Sequence, residues 1–177
     1  VAAKDAVEEI ATDCAKAGVG GVMIYASGFS ETGRAEDIAA QQRLAAIGRK
    51  AGMRIVGPNC IGMLNFGSKA GVTFMIPPPM EAPLPHAVGL VSQSGALGFS
   101  LAQAVMRGVS VSHLLTTGNS SDIDVADCVS FLADDPGCRA IACVFEGMPD
   151  PMRFIEAAQI ADAANKPLVV FKLGTGE

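Results

Sequence analysis

The densest chemistry in this sequence lies in Ser92-Gln93-Ser94-Gly95-Ala96-Leu97-Gly98. An apolar run, 87–91, precedes it, and Leu97, Leu101, Ala104 and Val105 recur behind it at helical spacing. A strand, a small-residue turn and a helix starting near Ser94 are expected in that order. The first N–H groups of a helix have no internal partner and the helix dipole favours negative charge, so such a turn can cradle a phosphate. Gly95 and Ala96 put no bulk in its way. From this stretch alone an ordinary turn in which Ser94 caps the helix is the commoner case, because short Gly/Ser motifs recur by chance. Glu146 is the second candidate: it ends an apolar strand, 141–145, and Gly147 follows it. At a strand's carboxyl end it would face the same loops as Ser94 and could orient an imidazole, as carboxylates do in many sites. A helix-start acid or a solvated loop charge fits that position as readily.

Other chemistries find less support. A serine nucleophile on a strand–turn–helix elbow needs glycine two places before and after it, where Ser94 has Ser92 and Ala96. No histidine follows His113, and both His113 (mid-strand) and His86 (among prolines) read as core or surface residues. No spaced ligand set marks a metal site. Cys60 follows a Gly-Pro-Asn turn and could be reactive, although a buried structural thiol is the commoner case. The five cysteines include no Cys-x-x-Cys pair, which fits reduced thiols in a cytoplasmic protein.

The elements that must position these residues alternate along the chain. Helix 4–17, strand 22–25, helix 34–51 stopped by Gly52, and strand 53–56 give an αβαβ unit. Its polar loops, 26–33 and 57–62, fall at strand carboxyl ends, where doubly wound sheets bind ligands. Residues 76–86 hold five prolines, which neither a helix nor a central strand tolerates, so they are expected to be an irregular linker. A second unit has strands near 87–92, 110–115, 139–145 and 167–172 and helices near 95–107, 123–133 and 151–164. Its polar loops, 116–122, 146–150 and 174–177, gather at one sheet edge with Gln93. The expected fold class is α/β, two doubly wound units with parallel sheets: 1–75, the linker 76–86, and 87–177. A fifth strand and helix are expected beyond the last residue, and both ends read as cuts in a longer polypeptide.

Half of the 177 residues are hydrophobic and only 18% are charged, so some surface is expected to lie against missing chain or a partner. The net charge of −5, with no basic stripe, argues against nucleic acid. No apolar run is long enough to cross a bilayer and no signal peptide is evident, so a cytoplasmic protein without membrane contact is expected.

Taken in order, Ser27-Gly28-Phe29-Ser30-Glu31, Gly57-Pro58-Asn59-Cys60-Ile61-Gly62, Ser92 to Gly98, Gly118-Asn119 and Glu146-Gly147 resemble the NDP-forming acyl-CoA synthetases, relatives of the succinyl-CoA synthetase α subunit. Each motif is weak singly; the order and spacing of all five are specific, and they run through the whole chain. The resemblance implies the end of a Rossmann-like CoA-binding domain followed by a truncated flavodoxin-like domain. It implies a reaction in which an acid, CoA and ATP or another NTP, with Mg, give an acyl-CoA through an acyl phosphate and a phosphohistidine. It implies that Ser94, Gly95 and Ala96 hold phosphate and that Glu146 orients a histidine this chain lacks. It implies further that Ser27, Gly28, Phe29, Glu31, Asn59, Cys60, Gly118 and Asn119 belong to loops around CoA and the acid. The partners implied are an ATP-grasp domain or subunit, a small carboxylic acid and CoA, in a homo- or hetero-oligomer. Some relatives, fused to acetyltransferases, lack the histidine and act as regulators; a non-catalytic acyl-CoA-sensing domain is therefore the alternative reading. The chain alone is expected to form no acyl-CoA when incubated with ATP, CoA and a panel of acids. Robust turnover in that assay would show that no further domain is required.

Overall fold

The computed structural model describes residues 2–148 and 150–174. The first unit comprises α1 (Lys4–Lys16), β1 (Gly21–Met23), α2 (Ala35–Ala51) and β2 (Arg54–Val56), with β1 and β2 parallel. Val7 and Ala11 of α1 pack on Ile24, Leu44 and Ile55, the helical spacing of the apolar residues setting which face is buried. Asp37 is buried at the start of α2, where Lys4, Thr32 and Arg34 all donate to its carboxylate and hold it well below the usual carboxylate range. One acid thus fixes α1, α2 and the short 3-10 turn between them. Gly52 ends α2 in the left-handed conformation at φ 66°, as expected of a glycine stop.

Six strands form the second sheet, in the order β4-β3-β6-β5-β7-β8. Strands β5 (Val88–Ser92), β6 (Val111–Thr116), β7 (Ala140–Phe145) and β8 (Leu168–Lys172) are parallel to their neighbours in that set. The largely apolar β5 and β7 suit strands covered on both faces and every residue of β6 is buried, whereas the edge strand β8 is mostly exposed. Helix α3 (Gly95–Ala102) covers one face over Leu64, Leu90 and Leu114. Helices α4 (Val125–Asp134) and α5 (Pro151–Ala163) cover the other over Val91, Ile141 and Cys143. Residues 103–107, expected to continue the helix from 95, tighten into a 3-10 turn that Gly108 ends at φ 84°. Lys166 reaches the far end of α4, donating to the carbonyls of Leu132 and Asp135.

The larger departure from the sequence reading lies before the prolines. Strands β3 (Gly62–Asn65) and β4 (Ala70–Thr73) form an antiparallel hairpin, and β3 pairs antiparallel with β6. Residues 62–73, placed with the first unit by sequence, therefore hydrogen-bond into the second sheet, which spans the proline segment. Two four-residue strands, each holding a glycine, give too short a pattern to be read as strands. Residues 76–86 are irregular, as their prolines require. Of the expected loop 174–177, residues 175–177 lie outside the described residues, as does Pro149 of the loop 146–150. Among the described residues no helix is long and apolar enough to cross a membrane.

His113 sits inside this sheet. It is 5% exposed, stacks edge-on against Phe131 at 5.8 Å, and neither ring nitrogen finds a hydrogen-bond partner among the described residues. Burial lowers its pKa below the usual 6.5, against a weaker opposing pull from Asp135. The folded chain thus holds His113 neutral, while the unfolded chain takes up a proton below about pH 6.5. Its contribution to stability is complete above that pH and is lost as pH falls towards the folded value. Urea unfolding between pH 7.5 and 5.5 should show this loss, and His113→Leu should flatten the profile.

Candidate functional site

The two sheets meet at the turn between β2 and β3. Asn119 donates its backbone N–H to the Pro58 carbonyl at 2.9 Å, and Ser121 donates both N–H and hydroxyl to the Gly57 carbonyl at 3.0 and 2.8 Å. The Thr116 hydroxyl accepts from the Gly62 N–H at 3.0 Å and donates to the Gly62 carbonyl at 2.6 Å. Asp122 accepts from the Ile55 N–H and the Arg54 guanidinium at 2.8 and 2.9 Å. Gly118 makes this approach possible: at φ 58°, a Cβ on it would stand 2.3 Å from the Pro58 carbonyl oxygen.

A cleft of about 640 Å³ opens beside this junction. Every residue singled out from sequence lines it except Gly28 and Phe29. Phe29 is 2% exposed in the first unit's core, because its ring is apolar and the loop folds it under Lys4. Gly28 adopts φ 97° and lies against the Lys4 side chain, so its part is to turn the loop.

Ser94 caps α3: its hydroxyl accepts from the Leu97 N–H at 3.4 Å. Capping and anion binding are compatible here. The cap occupies Leu97, whereas the N–H groups of Gly95 and Ala96 find no acceptor among the described residues. Gly95 also lets Ile61 close on the helix start, since a Cβ there would lie 2.4 Å from Ile61 Cγ1. Glu146 stands at the carboxyl end of β7, the strand beside β5, with its side chain exposed. Gln93 fixes it there, its Oε1 accepting from the Glu146 and Gly147 N–H groups at 2.8 and 3.2 Å and its Nε2 donating to the Gly147 carbonyl at 3.0 Å. Ser94 and Glu146 thus share one edge of the sheet and one cleft.

Glu31 plays a connecting part. Its carboxylate accepts from the Gly28 and Phe29 N–H groups and from the Asn119 amide, which also donates to Gln41 and accepts from Asn59. Partial burial opposes ionisation of Glu31, but the Asn119 amide and the backbone donors outweigh it and hold the carboxyl below its usual range. An acid so fully used ties loops together rather than accepting protons. Cys60 is 2% exposed, and burial pushes its thiol up to about 11, which disfavours the nucleophilic thiolate. Tyr25, Phe74 and the side chain of Ile61 also line the cleft and were missed in the sequence. Tyr25 is the chain's one tyrosine and follows a strand, a usable signal; Phe74 follows the hairpin whose strands were not recognised.

Residues 85–177 match the family described as the succinyl-CoA ligase like flavodoxin domain, and residues 1–65 match the CoA binding domain. The chain is 36% identical to the alpha subunit of an ADP-forming acetate–CoA ligase II of Pyrococcus furiosus, covering 100% of this chain and 37% of that one. It is 43% identical over 165 residues to a trans-feruloyl-CoA synthase of an unknown prokaryotic organism, covering 90% of this chain and 23% of the relative. The solved dinucleotide-forming acetyl-coenzyme A synthetase 1 of Ca. Korarchaeum cryptofilum, in complex with phosphate and ADP, superposes with a TM-score of 0.86 at 32% identity, covering 98% of this chain and 36% of that one. The chain therefore spans under two-fifths of the length of these proteins.

Gly118→Ala should cost about 1–3 kcal/mol, because it combines a disfavoured backbone conformation with a backbone collision. Gly147→Ala, where a Cβ meets nothing within 4 Å, is the control expected to stay near neutral. Urea unfolding of both variants measures the difference.

Proposed function

Since the chain belongs to the succinyl-CoA ligase like flavodoxin family, we propose that it is the CoA-side portion of an NDP-forming acid–CoA ligase. The whole protein joins a carboxylic acid to CoA at the expense of ATP or another NTP, with Mg, through an acyl phosphate. One observation carries this reading: loops from both units, including the Ser94 helix start and Glu146, line a single cleft at the strand carboxyl ends. In this reading residues 1–75 complete a CoA-binding unit and 87–177 belong to the flavodoxin-like unit, with the β3–β4 hairpin joining them.

This chain's share of the work is positional. The free N–H groups of Gly95 and Ala96 donate to phosphoryl oxygens, supported by the positive end of the α3 dipole. Glu146 accepts the ring N–H of a histidine supplied from elsewhere in the whole protein, which turns the other ring nitrogen towards the phosphoryl group. The separation of the two roles matters electrostatically, since a carboxylate against the phosphate would repel it. Asn59, Cys60, Gly118 and Asn119 form the wall along which CoA enters, and Ser27 and Glu31 border it. The CoA thiol, giving up its proton, attacks the acyl carbon; the carbon–oxygen bond to phosphate breaks, and acyl-CoA and phosphate result. An ATP-grasp domain or subunit binds the nucleotide, and the assembly works as an oligomer in the cytoplasm.

In the whole protein, Glu146→Gln should slow histidine phosphorylation by ATP about 10–100-fold, the range seen when an orienting partner of a ligand histidine is removed. Circular dichroism should stay unchanged, because the exposed side chain leaves the Gln93 bonds to the backbone intact. Phosphorylation at the wild-type rate rules out this role for Glu146. A whole protein that takes up no phosphate and forms no acyl-CoA would instead fit the acyl-CoA-sensing regulator.

A further inference from the structure

The cleft has an apolar side that the motifs do not explain. Tyr25 and Phe74, 49 positions apart in sequence, meet edge-to-face with ring centroids 5.2 Å apart and an interplanar angle of 74°. Phe74 is 54% exposed, a large ring left facing the cavity rather than the core. Its place is set by Thr73, whose hydroxyl donates to the Ile61 carbonyl at 2.9 Å and accepts from the Met75 N–H at 3.0 Å. Ile61 in turn lies against Gly95 at the start of α3. An aromatic pair, an isoleucine and an anion-binding helix start therefore follow one another along one wall. No lysine, arginine or histidine lines the cleft among the described residues.

From this arrangement we infer that the acid substrate carries a bulky apolar body, branched, alicyclic or aryl, which rests on Tyr25, Phe74 and Ile61 while its carboxyl group reacts at the α3 start. The inference rests on the ligase reading for what happens to the carboxyl group. The physical reasons are two. An exposed aromatic pair gains by burial against an apolar surface, with about 25 cal/mol for each Å² removed from water. A second carboxylate in the same position would be desolvated without a cation to pair with it, which is costly. Acetate would leave the wall uncovered and forgo that gain. CoA is assigned instead to the polar wall of Asn59, Gly118 and Asn119, and its thiol reaches the acyl carbon over the face of the carbonyl.

The whole protein makes the test direct. Cyclohexanecarboxylate should bind it saturably in isothermal titration calorimetry. Acetate and succinate should require at least tenfold higher concentration, the discrimination a few methylene groups give in an apolar pocket. Phe74→Ala should reduce the cyclohexanecarboxylate-to-acetate preference tenfold or more, and Phe74→Leu should restore most of it. The exposure of Phe74 keeps both variants foldable, and their circular dichroism confirms it. Equal or tighter binding of acetate or succinate, no saturable binding of cyclohexanecarboxylate, or an unchanged preference in Phe74→Ala overturns the inference. In the whole protein, kcat/KM should rank the acids in the same order. A whole protein that prefers acetate overturns the inference and leaves the ligase reading standing. Selective binding in a whole protein that makes no acyl-CoA overturns the ligase reading and supports the apolar wall.

Discussion

The clasp between the Gly57–Gly62 turn and the Thr116–Ile123 loop is the constraint on which the rest of this structure depends. Its bonds run backbone to backbone and through short hydroxyl and carboxylate side chains. Such contacts fix distance more tightly than long side chains do, because few torsions lie between the bonded atoms. The chain crosses from one sheet to the other within that turn, so the two sheets share a covalent link and a hydrogen-bonded one at the same place. Several of the loops lining the cleft then take their position from the clasp. Asn59 and Cys60 lie within it, Gly118 and Asn119 lie in its other half, and Glu31 is drawn in through Asn119.

Much of this was legible in the sequence, for reasons that differ between elements. The strands β5 and β7 announce themselves as largely apolar runs because both faces are covered, while β6 shows itself through Val111, Leu114 and Leu115 despite its buried Ser112 and His113. The Ser94 cap was readable because a small polar residue before a helical pattern has few other uses. The hairpin β3–β4 was not readable: it is too short for a period to emerge, and besides pairing with itself it pairs with the edge of β6, far off in sequence. That one omission also hid Phe74, and with it the apolar side of the cleft.

Glu31 and Phe29 show the other limit of reading residues by type. Both belong to a motif that borders the site, yet one spends its charge on three donors and the other is packed under Lys4. A motif preserves a loop's shape as well as its chemistry, and only the hydrogen-bond partners tell which residues serve which purpose. The buried Asp37, with three donors from three segments, is the same device one loop away.

The condition of Cys60 has a consequence for any thiol that enters the cleft. Its Sγ lies 3.5 Å from the Ile24 carbonyl oxygen and burial raises its pKa to about 11, so little of it is thiolate near neutral pH. Attack on a disulfide proceeds through the thiolate. Cys60 is therefore slow to open any disulfide that reaches the cleft, and a second thiol lying beside it does not join it without an oxidant.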